Sequence, residues 1–271
     1  MTMQSLIQQL KKKILLMDGA MGTILQGRGL PPGVPSVLWT LERPEEVKKV
    51  HQAYLDAGAE VIFTNTFTAS RNYVTDVETI NRTAVRLARE VAGDKAWVAG
   101  SVGPLGKKTD DAAKIYREQI EALVSAGVDL IALETMTNRA ETEIAVRAAK
   151  PYINDKTPLL VSMTVTKSGL LPSGENPLAL VSFLEQNGVA IIGLNCSEGP
   201  ESIYPVFQKL QKQTQLPIAI KPNRGIDRTM ADDEFVRWGK RFVDEGANLI
   251  GGCCGTTPET IRKLAQIIQK M

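Results

Sequence analysis

The chain has 271 residues, 43% of them apolar, and a formal net charge of +2. This length suits one large domain or two small ones, and closed alpha/beta barrels reach it as a single unit. The near-neutral charge argues against nucleic acid, no apolar stretch approaches the roughly 20 residues of a membrane span, and the N-terminus lacks a signal peptide's order of charge, apolar run and cleavage site. A cytoplasmic, reducing compartment is therefore expected, and thiols there read as ligands or nucleophiles sooner than as disulfides.

In chain order, Gln4–Lys13 reads as a helix ahead of the first strand, with Lys11, Lys12 and Lys13 on a solvated face. Eight short apolar runs follow: Ile14–Asp18, Glu60–Asn65, Ala96–Val102, Asp129–Glu134, Leu159–Val165, Ala190–Cys196, Pro217–Pro222 and Asn248–Cys253. They are rich in Val, Ile and Leu and do not alternate with polar residues, as expected of parallel strands covered on both faces. A helical stretch follows each run. Pro44–Ala57 opens on a proline, which suits a first helical turn, and Pro258–Ile268 follows the possible cap Thr257. His51, the single histidine, lies mid-helix in the first of these. It reads as a surface or hydrogen-bonded helix residue, so the chemistry is expected to run without histidine.

Gly58, Gly127, Gly188 and Gly246 each close a helix just before a strand, at spacings of 69, 61 and 58 residues. Glycine there supplies the left-handed residue that stops a helix. Two strand–helix units fit each interval, which predicts an α/β fold of the closed (β/α)8 TIM-barrel type. No linker divides the chain, so one domain over residues 1–271, with an extra N-terminal helix, is expected.

In such barrels the chemistry sits at the carboxyl ends of the strands. That rim is expected to carry Asp18 and Gly19, Asn65, Glu134 and Thr135, Cys196, and Cys253 with Cys254. The three cysteines are all the chain has, and they fall on strands 6 and 8, two apart on the ring. Alone, Cys196 would read as a small core hydrophobe, and the adjacent pair as a strained disulfide. Together they favour a thiolate metal site, with zinc the natural ion and a fourth position left for substrate. A turn at Gly255 would let both adjacent thiols point inward.

Glu134 ends an otherwise apolar strand and needs a partner, either a barrel Lys or Arg or the ammonium of a substrate. Asp18 leads into Gly19-Ala20-Met21-Gly22-Thr23, whose backbone N–H groups could hold a carboxylate. That turn matches neither the dinucleotide fingerprint nor the P-loop. A metal with three thiolate ligands is poorly suited to hydrolysis but deprotonates a thiol and keeps it nucleophilic. The motifs thus point to alkyl transfer onto a thiol that has an amino-acid end.

Leu16–Thr23, Thr64-Asn65-Thr66-Phe67, Gly193-Leu194-Asn195-Cys196-Ser197 and Gly251–Pro258 closely resemble the homocysteine S-methyltransferases. The likeness is strongest to the homocysteine-binding domain of cobalamin-dependent methionine synthases, and it covers nearly the whole chain. The resemblance implies methyl transfer to homocysteine, giving methionine, with Cys196, Cys253 and Cys254 as zinc ligands. It implies that Glu134 binds the substrate ammonium, that Asp18, Gly19 and Ala20 help hold the amino-acid end, and that Asn195, Thr64 and Asn65 lie nearby. The segments Ser70–Asn81 and Gly106–Asp111 look shortened, which opens the rim and favours a methyl-corrinoid donor, methylcobalamin or a separate corrinoid protein. No corrinoid-ligating Asp-x-His-x-x-Gly motif occurs, because Lys49 stands two residues before His51. S-Methylmethionine, S-adenosylmethionine or betaine is the alternative donor. Two further readings are a metal-free aldolase using Lys221 as a Schiff-base lysine, and a non-catalytic zinc-binding subunit.

Overall fold

In the computed structural model, residues 5–225 and 230–268 are described. Gln4, the first residue of the expected N-terminal helix, lies outside them. The strands are β1 (Leu15–Leu16), β2 (Val61–Phe63), β3 (Trp97–Val102), β4 (Leu130–Met136), β5 (Leu159–Met163), β6 (Ile191–Cys196), β7 (Ile218–Pro222) and β8 (Leu249–Ile250). They form one sheet in the order β1-β8-β7-β6-β5-β4-β3-β2. Every pairing is parallel. The ring closes between β1 and β2 through a parallel bridge of Met17 to Val61. Glu60 N–H donates to Leu16 O at 2.7 Å and Asp18 N–H to Val61 O at 3.0 Å across this seam. The architecture is the expected eight-stranded α/β barrel.

Side chains alternate across each strand, and the two faces build two apolar layers. Leu15, Met17, Val61, Phe63, Trp97, Ala99, Leu130, Ala132, Leu160, Ile191, Ala219 and Leu249 fill the barrel interior. Leu16, Ile62, Val98, Ile131, Val161, Ile192, Ile220 and Ile250 face outward and pack under the helices. This double burial explains why the strands read as continuous apolar runs. Gly58, Gly127, Gly188 and Gly246 all have φ between +78° and +106°, the left-handed helix stop that the repeat predicts.

Three strands keep half or less of their expected length. β8 covers only Leu249–Ile250 of Asn248–Cys253, and β1 and β2 are likewise cut to two and three residues. The backbone remains tied past the formal ends: Gly251 N–H donates to Ile220 O at 3.0 Å, Gly252 N–H to Asp18 O at 3.0 Å and Cys253 N–H to Pro222 O at 2.9 Å. The chain leaves ideal strand geometry where it enters the rim. The N-terminal helix is also shorter, Leu6–Leu10, capped by Ser5 and Gln8. Leu6 and Leu10 close the barrel interior from below. Lys11, Lys12 and Lys13 are exposed as expected but lie beyond the helix end.

His51 departs from its reading. It is fully buried in the helix Pro44–Asp56, and neither ring nitrogen meets a hydrogen-bond partner among the described residues. Val47, Val50 and Tyr54 share its buried face. Burial lowers its pKa to about 4, so the ring is neutral.

Candidate active site

A cavity of about 500 Å³ opens at the carboxyl end of the barrel. Cys196, Cys253, Cys254, Asp18, Gly19, Ala20, Thr64, Asn65, Glu134, Thr135 and Asn195 all line it. Lys221, Phe63, Ser101 and Phe67 line it too. Strand phase explains much of this gathering. Ser101, Glu134 and Lys221 each stand two residues beyond an inward alanine, Ala99, Ala132 and Ala219. Period-two geometry therefore aims them into the barrel, one layer above the apolar plug. Ser101 and Phe63 escaped the sequence reading, although counting phase from the inward residues finds both.

The three thiols are half-buried, and their sulfurs lie within 4.8 Å of one another. Cys196 ends β6 in a left-handed conformation, φ 59°, followed by Ser197 at 62°. Non-glycine residues rarely adopt this conformation, and the loop is held there by tertiary bonds. Asn223 N–H donates to Cys196 O at 3.0 Å, and Asn223 Nδ2 donates to Ser197 O at 2.6 Å. Cys253 and Cys254 follow Gly251-Gly252. A Cβ on Gly252 would lie 2.6 Å from Thr256 Oγ1, so only glycine lets the chain pass. Gly255, at φ +79°, makes the expected turn. Hydrogen bonds from Cys196 and Cys253 hold Cys254 down to about 3. The shared bonds push Cys196 well above the ordinary thiol range. Hydrogen bonding within the cluster thus favours the thiolate form of Cys254. Tetrahedral zinc with bonds of about 2.3 Å sets its sulfurs about 3.8 Å apart, which this spacing accommodates. The donor set and separation fit such an ion, and a fourth position would face the cavity.

Beside the thiols lies a buried charge cluster. Lys221 Nζ donates to Asp18 Oδ1 at 3.0 Å, stands 3.9 Å from Glu134 Oε2 and sits 3.5 Å over the Phe63 ring. Asp18 Oδ2 accepts from Phe63 N–H at 2.7 Å, and Glu134 Oε1 accepts from Ser101 Oγ. Burial raises the Glu134 pKa to about 7, with Lys221 pulling it back. Burial likewise raises Asp18 against the pull of Lys221. Burial opposes the charge on Lys221, but Asp18 and Glu134 outweigh it and raise its pKa. Lys221 is therefore an ammonium, whereas a Schiff-base lysine must be a neutral amine.

The remaining residues frame the pocket. β4 has an irregular register between Leu133 and Met136, where Thr135 takes φ 58°. Asn195 clamps it, accepting from Thr135 N–H at 2.9 Å and donating to Thr135 Oγ1 at 2.8 Å. Asn65 is engaged with the loop after β1, donating to Ser36 O at 2.7 Å and Thr40 Oγ1 at 3.2 Å. Thr64 Oγ1 pairs with Thr66 and accepts from Ser101 N–H. The glycine turn offers less than expected: Ala20 N–H donates to Thr256 Oγ1 at 3.1 Å and is not open to a ligand. A Cβ on Gly19 would lie 2.7 Å from Thr256 Oγ1 and 2.8 Å from the Tyr54 ring, so this glycine serves close packing.

A sequence profile of the homocysteine S-methyltransferase family matches residues 15–268. Methionine synthase of Mycobacterium leprae is 29% identical over 98% of this chain, which spans about a quarter (25%) of that protein's length. The homocysteine methyltransferase MmuM from Escherichia coli in its metallated form superimposes with a TM-score of 0.83 at 28% identity, covering 96% of this chain and 98% of that one. Its apo form gives 0.81 at 31% identity, over 98% and 99%.

Proposed function

The chain belongs to the homocysteine S-methyltransferase family, and from that premise we propose that it is a zinc-dependent enzyme that methylates homocysteine to methionine. The observation that carries this reading is the convergence of three thiols within 4.8 Å on a cavity that also exposes an acid, Glu134. Residues 1–271 would act as one homocysteine-binding barrel domain. Cys196, Cys253 and Cys254 would hold the ion. Bound zinc would supply the Lewis acidity that deprotonates a thiol at its open position.

The protein's own residues supply binding and alignment. Glu134 takes the substrate ammonium, and Asn195 fixes the Thr135 backbone that aims Glu134 inward. Alignment of the sulfur with the incoming methyl carbon does the rest. The new S–C bond forms as the methyl–donor bond breaks, its electron pair stays with the donor, and the thiol proton leaves to solvent.

For the donor we favour a methyl-corrinoid, carried by a separate protein. Among the described residues the large exposed hydrophobics are Leu41, Phe67, Tyr73 and Leu170. All four lie in segments that leave β1, β2 or β5 towards the cysteine end. They would offer a docking partner separate apolar contacts around the rim. A donor screen tests this: turnover with S-methylmethionine, S-adenosylmethionine or betaine, and none with methylcobalamin or a methylated corrinoid protein, sinks the preference. Cys253→Ala tests the metal. Zinc, from about one per chain, and methyl transfer should vanish together while the melting curve keeps its cooperative shape, because this residue lies past β8 and outside the apolar layers. Retained activity would overturn the zinc reading.

A further inference from the structure

Lys221 has no role in the scheme above, yet it is a buried ammonium at the centre of the cavity wall. Its surroundings are unequal. Asp18 is filled, since one carboxylate oxygen accepts from Lys221 and the other from Phe63 N–H. Glu134 is half filled, since Oε1 accepts from Ser101 while Oε2 lies 3.9 Å from Lys221, beyond hydrogen-bond reach. Oε2 is thus the open carboxylate oxygen of the cluster and the natural seat for an incoming ammonium. An ammonium placed there alone would face Lys221 at close range, like charge to like charge, in a water-poor site.

An α-amino acid removes that conflict, because its carboxylate is attached to the carbon that bears the ammonium. From this arrangement we infer that Lys221 seats the α-carboxylate of the substrate and selects thiols that carry one. The inference rests on the homocysteine reading. Charges then alternate through the site: Asp18, Lys221, substrate carboxylate, substrate ammonium, Glu134. The other candidate seat, the Gly19–Thr23 turn, has its Ala20 N–H taken by Thr256, and the helix that follows it, Gly22–Gly27, is a single short turn and a half. Lys221 is held for the task from two sides, by Asp18 and by the Phe63 ring at 3.5 Å.

The test compares homocysteine with 3-aminopropane-1-thiol, which keeps the thiol and amine and lacks the carboxylate. Both are titrated calorimetrically into zinc-loaded protein. The wild type should bind homocysteine about tenfold tighter or more, the scale of one charge-assisted hydrogen bond. Lys221→Met should reduce that ratio to about threefold or less, weakening homocysteine and, by removing the like charge, strengthening 3-aminopropane-1-thiol; Lys221→Arg should retain most of the ratio. Lys221→Met strands a buried carboxylate and can fail to fold. The same comparison is therefore made between Asp18→Asn and Asp18→Asn/Lys221→Met, where Asp18 no longer leaves a stranded carboxylate and Glu134, bonded to Ser101, is the acid that remains. A ratio that survives loss of Lys221 in either background overturns this inference alone and returns the carboxylate to the glycine turn. A wild type that binds neither thiol overturns the proposed function and this inference with it.

Discussion

Glu134 and His51 are both buried, and burial moves their pKa values in opposite senses because in each case it opposes the charged form. Glu134 rises from 4.5 to about 7; His51 falls from 6.5 to about 4. For Glu134 the folded value lies above the unfolded one. Its contribution to stability is present below pH 4.5 and is lost as the pH rises through about 7. For His51 the folded value lies below the unfolded one, so its contribution is present above pH 6.5 and lost as the pH falls through about 4. At about 1.4 kcal/mol per pKa unit, each window is worth roughly 3 kcal/mol. Metal-free Glu134→Gln should therefore gain that much on the wild type between pH 4.5 and pH 7 in urea unfolding, while losing most of its homocysteine affinity. A constant gap between the two proteins over this range would show that Glu134 ionises as an ordinary carboxylate. His51→Leu should gain on the wild type in the other direction, as the pH falls from 6.5 towards 4, with homocysteine affinity unchanged because His51 does not line the cavity. An acid-side gap that fails to open would mean the ring is not held neutral.

At the scale of elements, the site depends on short segments that leave regular geometry. The turn after β8 is the clearest. Thr256 donates to Cys253 O at 2.7 Å and accepts from Ala20 N–H at 3.1 Å, so it joins the adjacent cysteines to the segment after β1. Gly252→Ala drives a methyl group into that threonine. Such overpacking typically costs about 1–3 kcal/mol, and here it also displaces Cys253. The variant should melt earlier and release zinc more readily to a chromophoric chelator. Gly27→Ala, with nothing within 4 Å of the new methyl, should change neither quantity, and equal effects at both positions would refute the argument. Segments like this one mark where sequence reading fails. The strand runs and the four helix-stopping glycines were legible because hydrophobic phase and left-handed glycine are local signals. The left-handed Thr135 and Cys196 were not, since their backbones are set by Asn195 on β6 and by Asn223 just past β7. His51 was misread for a related reason: that its helix face is buried depends on what packs there, which the helix alone does not state. Ser101 and Phe63 were legible in principle, but only after the inward phase of β2 and β3 had been fixed.

For the whole molecule, the ring is unevenly sewn. β6 and β7 share five register pairs and β5 and β6 four, whereas β8 shares two with β1 and two with β7. β1 meets β2 through one bridge and its flanking bonds. Local opening free energy follows such differences in buried hydrogen bonding, so the joins around β8 and β1 should open first, the β1–β2 seam ahead of the others. That seam carries function. Asp18 leaves it to hold Lys221, and Gly252 N–H reaches Asp18 O at 3.0 Å just before the adjacent cysteines. Anything that fixes the cysteines and Lys221 together therefore closes the weakest join of the barrel, because a ligand stabilises the states it binds and not the open ones. Amide hydrogen exchange can follow this directly. In the metal-free protein, peptides containing Asp18, Glu60 and Gly252 should exchange faster than those of β5 and β6. Zinc with homocysteine should slow the Asp18 and Gly252 peptides by about tenfold or more for each 1.4 kcal/mol of added opening cost, and leave β5 nearly unchanged. Uniform protection around the ring in the metal-free protein, or equal slowing of every strand on ligand addition, would uncouple the seam from the site.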